Sequence, residues 1–183
     1  MSNIIEKMQQ LSKDLIEKAS KGDLEAFEVL YKLNVDFVYR VSCGLLGNQF
    51  DAQDVTQEVF LKIYKNLKNF KFRSSIKTWI YKIALNTAIN AYKRLKKTKN
   101  LINYKDEIKT KDVTENLDRI DAKNILYALL DKLNQKEKMC IILKELEGLS
   151  YKEIALTLNI NINTVRTHLH RGREKLFKAK YEL

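Results

Sequence analysis

The sequence predicts an all-α chain folded as two small helical domains, and three observations carry that expectation. Proline is absent and glycine occurs only five times. Helix interiors exclude both, since proline lacks an N–H and clashes with the preceding turn, while glycine costs backbone entropy. Apolar residues recur every three or four positions over about 12–95 and again over about 117–176, the period of helices with one buried face. Between these blocks, 96–116 is poor in large apolar side chains, and Lys93 to Lys105 holds six basic residues and no acidic one. That stretch predicts a flexible linker whose start is the frayed end of a helix. The expected division is a lead over 1–21, a first domain over 22–95, the linker, and a second domain over 117–183. The lead is either one more helical turn or disordered.

Each element has its own signal. Asp23 is a candidate N-cap before Leu24, Phe27 and Leu30, and Val35, Val38, Tyr39 and Ser42 continue the same side. Gly44, Gly47 and Asn48 read as punctuation, and Asp51 as the cap of a second helix with Val55, Val59, Phe60, Ile63 and Leu67 in one stripe. After a loop over 69–75, Ser74 or Ser75 can cap a helix that turns Trp79, Ile80, Ile83, Ala84 and Thr87 inward. The second block opens with Ile125, Leu126, Leu129, Leu130 and Leu133, followed by Met139, Ile142, Leu143 and Leu146 up to Gly148, a C-terminal stop. Tyr151, Ile154, Ala155 and Leu158 mark a short helix, and Ile162, Val165, Leu169 and Leu176 the last one.

Composition narrows the function. Apolar residues make up 45% of 183, enough for a core, yet no run approaches the roughly 20 that a membrane span needs. Met1 to Leu11 includes Glu6 and Lys7 and has no apolar h-region, so it does not read as a signal peptide. A soluble cytoplasmic protein without membrane insertion is expected. Cys43 and Cys140 are far apart and outside any CxxC pair, and with only two histidines they do not make a zinc site. They read as buried free thiols, and no cofactor, metal or catalytic residue is expected. The net charge of +11 favours polyanions, nucleic acid first.

Three constellations give that charge a use. Ser150 to Lys175 has helix-turn-helix spacing, with the connection at Asn159 to Asn161. The second helix carries Arg166, Thr167, His168, His170, Arg171, Arg173 and Lys175 on its outward side, a set that can contact bases and phosphates in a major groove. The bland alternative is a solvated basic helix; the basic face after a correctly spaced turn favours DNA. Asp51, Asp54, Gln57 and Glu58 form an acidic patch in a basic protein, and the last three share a helix face. Placement near a helix N-terminus, or a metal or acid/base pair, would also explain it, but no histidine accompanies it, and an acidic docking face for a basic partner is the sharper reading. Third, Phe70, Phe72, Trp79 and Tyr81 surround the polar loop Arg73 to Lys77, which includes Ser75, and Lys82, Asn86, Asn90 and Lys93 make a polar stripe beyond it. Aromatics, cations and amides together can stack on and hydrogen-bond to unpaired bases, although Phe72 and Trp79 can also be plain core.

In this order the constellations resemble the extracytoplasmic-function (ECF) sigma factors of the sigma-70 family. The residues that carry the resemblance run Asp51-Ala-Gln-Asp-Val-Thr-Gln-Glu-Val-Phe60, Ser75-Ile-Lys-Thr-Trp-Ile-Tyr-Lys-Ile-Ala-Leu-Asn86, Glu147-Gly-Leu-Ser-Tyr-Lys-Glu-Ile-Ala155 and Asn163-Thr-Val-Arg-Thr-His-Leu-His-Arg-Gly-Arg-Glu-Lys-Leu176. The resemblance implies a sigma region 2 bundle and a region 4 helix-turn-helix. It implies that Asp51, Asp54, Gln57 and Glu58 dock on the beta-prime coiled coil of core RNA polymerase, and that region 4 packs on the beta flap. It further implies that the Phe70 to Lys77 segment, Asn86 and Asn90 read and melt the minus-ten element, and that Arg166, Thr167, His170 and Arg171 read the minus-thirty-five element of promoter DNA. An anti-sigma factor is an implied partner. The family's usual glycine is Asn163 here, its usual proline in the turn is missing, and His168 stands where a permanent charge is more common. Two other readings compete: a helix-turn-helix regulator of duplex DNA that is no sigma subunit, and a metal-dependent nucleic-acid enzyme using Asp54 and Glu58.

Overall fold

A computed structural model of the chain describes residues 13–102 and 125–180. Every regular element among the described residues is helical, and none of those helices is long and apolar enough to cross a membrane. Residues 13–20 are α1, followed by α2 (Leu24–Leu46), α3 (Gln49–Asn66) and α4 (Ile76–Ile102); residues 125–131 are α5, followed by α6 (Gln135–Ile141), α7 (Tyr151–Leu158) and α8 (Ile162–Lys180). A 3-10 turn, Leu67–Asn69, closes α3, and a π turn, Ile142–Leu146, follows α6.

The helices start where short polar side chains can take up free N–H groups. Asp23 caps α2 by accepting from the Ala26 N–H. At α3 the cap is Asn48, which accepts from the Phe50 and Asp51 N–H groups at 2.8 and 3.2 Å; Asp51 itself lies in the first turn, where its charge suits the helix dipole. Ser75 accepts from the Thr78 N–H at the start of α4. Asn134 and Ser150 each form a reciprocal capping box, with Glu137 and Glu153. Helix α4 runs on to Ile102, through the basic stretch that composition assigned to the start of a linker; lysine and arginine are good helix formers, so the loss of an apolar face does not end the helix. The rest of the expected linker lies outside the described residues.

Helices α2, α3 and α4 pack on one another, burying Val38, Val41, Leu45, Val59, Ile63, Ile80, Ala84 and Leu85. Helix α1 adds a second cluster, in which Ile16 and Ala19 meet Ala26, Leu30 and Leu67. The stretch before Gly22 is therefore, over 13–20, a packed helix. Leu130, Cys140, Ile142, Leu143, Ile154, Val165 and Leu169 form the interior of the second half.

The two halves share one continuous core. Their meeting point is Gly44, which lies inside α2 rather than ending it; a Cβ there would sit 2.8 Å from Cδ1 of Ile142. Glycine serves that approach rather than a turn, since any Cβ would force the end of the Ile142 side chain to shift. The stop is Gly47, in the left-handed region with φ 68°. Beside this contact the Arg40 guanidinium forks onto the Glu147 carboxylate at 2.7 and 2.8 Å, and the Lys138 ammonium stands 5.7 Å from the Tyr92 ring. Both cysteines are buried free thiols, and burial pushes the Cys140 thiol up to about 11.

Replacing Gly44 by leucine is expected to separate the halves while leaving α2 intact, because leucine is the better helix former. Small-angle scattering should show a larger radius of gyration at unchanged far-ultraviolet ellipticity. An unchanged radius would mean that the Ile142 contact does not hold the halves together.

Candidate nucleic-acid interface

The helix-turn-helix forms from α7 and α8. Asn159 takes the left-handed conformation at the end of α7, with φ 53°, and its N–H donates to the Ala155 carbonyl. Asn161 then accepts from the Asn163 N–H at 2.8 Å. Asn163 is thus an ordinary residue of α8; the unusual backbone angle falls on Asn159, an asparagine tolerant of it. Gly172 lets α8 approach α6, since a Cβ there would meet Cγ1 of Ile141 at 2.9 Å.

The seven cationic and polar residues of α8 do not share one environment. Arg166, Thr167, His170 and Arg171 are exposed. Arg173 stands at the flank and donates to Oε1 of Glu145 at 2.7 Å. Lys175 sits on the other flank, 2.7 Å from Glu137, a carboxylate only 2% exposed. Burial raises the Glu137 pKa, but the Lys175 hydrogen bond and the Asn134 N–H outweigh it and hold the group below the usual range. His168 is half-buried, and neither ring nitrogen has a hydrogen-bond partner among the described residues. Desolvation, helped by Lys136, lowers its pKa below 6.5. Lys175 is tied to the fold and His168 is turned partly into it, which leaves four of the seven on the exposed face, where Arg166 and Thr167 bond to Asn163 one turn back and His170 lies 3.2 Å from Glu174 one turn on.

On the first half, α3 and α4 lie side by side and frame two hollows. One is lined by Asp51, Asp54, Val55, Glu58, Ala91, Arg94, Leu95 and Thr98. Gln57 is exposed on α3 close by. Within the hollow Glu58 is engaged: the Lys62 ammonium donates to it at 2.6 Å and Arg94 at 3.3 Å. The Lys62 hydrogen bond holds its carboxyl below the usual range.

The other is a groove of about 470 Å³ lined by Lys62, Asn66, Asn69, Trp79, Ile83, Asn86, Thr87 and Asn90. Asn86 and Asn90, expected on a polar stripe opposite the apolar one, share this groove with Trp79, Ile83 and Thr87 of that apolar stripe, and Lys62, Asn66 and Asn69 join them without having been singled out by the sequence pattern. Lys82 and Lys93 are not among the lining residues. The loop before α4 has split roles. The Phe70 ring lies 4.9 Å from Phe72 and 5.3 Å from Trp79, and Phe70 and Trp79 pack against the α1 cluster. Phe72 is 45% exposed, with a left-handed φ of 54°. Arg73 and Lys77 are exposed, and Ser75 serves as the cap. Tyr81 is core, stacked on Phe37 at 3.3 Å.

Among known proteins, the sequence profile of Sigma-70 region 2 matches residues 30–98, and that of Sigma-70 region 4 matches residues 123–176. The ECF RNA polymerase sigma factor SigW of Bacillus subtilis is 32% identical, over 96% of this chain and 100% of its own. The chain belongs to the ECF sigma factors of the sigma-70 family. It is an alternative sigma subunit, a protein that works with core RNA polymerase on promoter DNA. The ECF sigma-E factor of Escherichia coli is 33% identical, over 88% of this chain and 90% of its own. The fold of this sigma factor is also that of CnrH, solved with the cytosolic domain of CnrY, at a TM-score of 0.75 and 20% identity over 93% of this chain and 97% of CnrH. A similar likeness links it to RpoE of Bartonella quintana, solved with the anti-sigma factor NepR, at a TM-score of 0.65 and 21% identity over 83% of this chain and 94% of that one. The all-α architecture in two domains agrees with both.

Burial of His168 is expected to make the region 4 half of this sigma factor sensitive to pH. Its folded pKa is depressed, so the unfolded chain binds more protons below pH 6.5 and stability falls as pH drops through that value. Thermal unfolding as a function of pH should show this slope, and His168→Phe should flatten it; a slope surviving in His168→Phe would assign it to another group.

Proposed function

We propose that the three surfaces divide the work of initiation among them. The hollow formed by Asp51, Asp54 and Glu58, with Gln57 beside it, docks the beta-prime coiled coil of core polymerase. The groove between Trp79, Asn86 and Asn90 receives an unpaired base of the minus-ten element, with Phe70, Phe72, Arg73, Ser75 and Lys77 in the adjoining loop and Lys82 and Lys93 along the strand. Arg166, Thr167, His170 and Arg171 read the minus-thirty-five element, while Arg173 and Lys175 adjust the flanks. The observation that carries this reading is the groove itself: one aromatic wall and several side-chain amides suit a flipped base, which needs both stacking and hydrogen bonds to offset the few kcal/mol of unstacking.

The division into domains follows the same lines, with α1 joining the region 2 half, α4 running on past the expected bound at 95, and region 4 following from α5 onward, and region 4 packs on the beta flap. The protein acts in the cytoplasm by binding and carries no reaction of its own. Glu58, the best candidate for chemistry, is already neutralised by Lys62 and Arg94. RpoE of Bartonella quintana was solved with an anti-sigma factor, and a partner of that kind is expected to hold this chain inactive.

Run-off transcription with core bacterial polymerase on a library of promoter fragments tests the whole scheme. Discrete transcripts that depend on the protein are expected. A chain that binds duplex DNA but neither binds core nor yields transcripts would be a plain helix-turn-helix regulator.

Finer predictions follow the geometry. Asp54→Lys is expected to weaken core binding by at least tenfold, measured by fluorescence anisotropy, because a charge reversal at a docking face adds repulsion to lost attraction. Arg171→Ala is expected to weaken promoter binding by about tenfold or more, the cost of one base contact. The salt dependence of both proteins must be compared, since phosphate contacts alone shift it. Unaltered affinity at matched salt would remove Arg171 from the reading face.

A further inference from the structure

Region 2 has a further hollow, on a part of α4 that the Asn86 groove does not use. It encloses about 760 Å³. Leu33, Phe37 and Ile76 give it an apolar wall, and Asn34, Arg40 and Lys77 give it a polar rim. None of the residues that line the groove lines this hollow. Leu33 is 72% exposed, a large apolar side chain left open to solvent. The hollow also adjoins the loop before α4, since Ile76 and Lys77 follow directly on Ser75.

One lining residue comes from region 4. Glu147 closes the cationic end, where the Arg40 guanidinium forks onto its carboxylate at 2.7 and 2.8 Å. The Glu147 side chain is 5% exposed and that of Arg40 50%. Glu153 of α7 acts on the same end: the Ser150 N–H and hydroxyl first, and the Lys77 charge after them, hold its carboxyl below the usual range. Asp36 also lines the hollow, so region 2 supplies two cations and one carboxylate, and region 4 brings two carboxylates against them. A cationic rim beside an apolar wall is the pairing that binds single-stranded nucleic acid, with phosphates on the cations and bases on the apolar surface. A phosphate and a carboxylate offer a guanidinium fork the same kind of acceptor. A strand and Glu147 therefore compete for Arg40.

We propose that this hollow is a second site for the melted single strand, with Arg40 as its phosphate contact, and that region 4 covers it in the joined form through Glu147 and Glu153. Its ligand is the stretch of strand beyond the segment that the groove takes. The inference rests on the strand-binding reading of the groove and loop made above and extends it to α2.

The test uses the full chain, free and bound to core, with a single-stranded oligonucleotide that carries the non-template minus-ten segment of a promoter found by run-off transcription, extended downstream. With 5-iodouracil at successive thymines, irradiation of the core complex is expected to attach the strand to the α2 segment Leu33 to Arg40, identified by mass spectrometry. The free chain, with the hollow covered, should give much less of that product. In the core complex, Arg40→Gln should weaken strand binding by about threefold to tenfold at low ionic strength, measured by fluorescence anisotropy. It should also lower the slope of log affinity against log salt by about 0.7, the value for one phosphate contact on a single strand. A role of Arg40 confined to the joint between the halves leaves that slope unchanged. In the free chain, Glu147→Gln should raise strand affinity by about two- to fivefold, and the gain should vanish when Arg40→Gln is added. Far-ultraviolet ellipticity confirms that each variant is folded. No product on α2 in the core complex, or a wild-type salt slope in Arg40→Gln, overturns the second site. No gain in Glu147→Gln, or an equal gain in the double variant, overturns its covering by region 4. Asn86→Ala keeps the two readings apart. If it weakens strand binding while Arg40→Gln does not, the groove stands and the second site falls; if only Arg40→Gln weakens binding, the hollow stands and the groove assignment falls.

Discussion

Helix α2 has to be buried from two sides at once, and most of the molecule follows from that requirement. Val38 and Val41 are fully enclosed, and Phe37 stacks on Tyr81 of α4. Gly44 sits where Ile142 of the second half presses in. Burial is strong enough to push the Tyr81 hydroxyl up to about 12. With α2 covered by α3 and α4 on one side and by the π turn and α6 on the other, the core is common to both halves. Each half keeps its outer faces free for binding.

Those outer faces are built by the same packing that fills the core. Because α3 and α4 lie side by side, the acidic turn of α3 and the amide stripe of α4 become neighbours. Because Gly172 lets α8 settle on α6, Arg166, Thr167, His170 and Arg171 project away from the body. The internal pairs are as informative as the exposed groups. Glu137 and Glu145 each hold one cation of α8, so only part of a basic helix is available to a polyanion.

Much of this was legible from residue order. Asp23, Ser75 and Gly148 act where their chemistry said they would, and the stripe Val55, Val59, Phe60, Ile63 and Leu67 is buried throughout. Periodicity and capping are local, so a sequence displays them. What it did not display depends on distant partners. Gly44 looks like a stop until Ile142 is beside it, and Asp51 looks like a cap until Asn48 is seen to do the work. His168, Arg173 and Lys175 carry the same signature as Arg171, and only their neighbours on α6 and the π turn distinguish them. Lys62 escaped notice for the same reason: a Glu-to-Lys step of four residues is ordinary on any helix.

The join at Gly44 has a consequence for reach. A duplex rises about 3.4 Å per base pair, so elements centred at minus ten and minus thirty-five are about 85 Å apart. A compact chain of this length has a radius of gyration of about 16 Å. The joined form is therefore too short to touch both elements, and reading a whole promoter requires the halves to part. Because they belong to one chain, they meet at an effective concentration on the order of millimolar. A contact far too weak to hold two separate proteins can then keep the molecule parked, and the combined pull of polymerase and DNA can stretch it out.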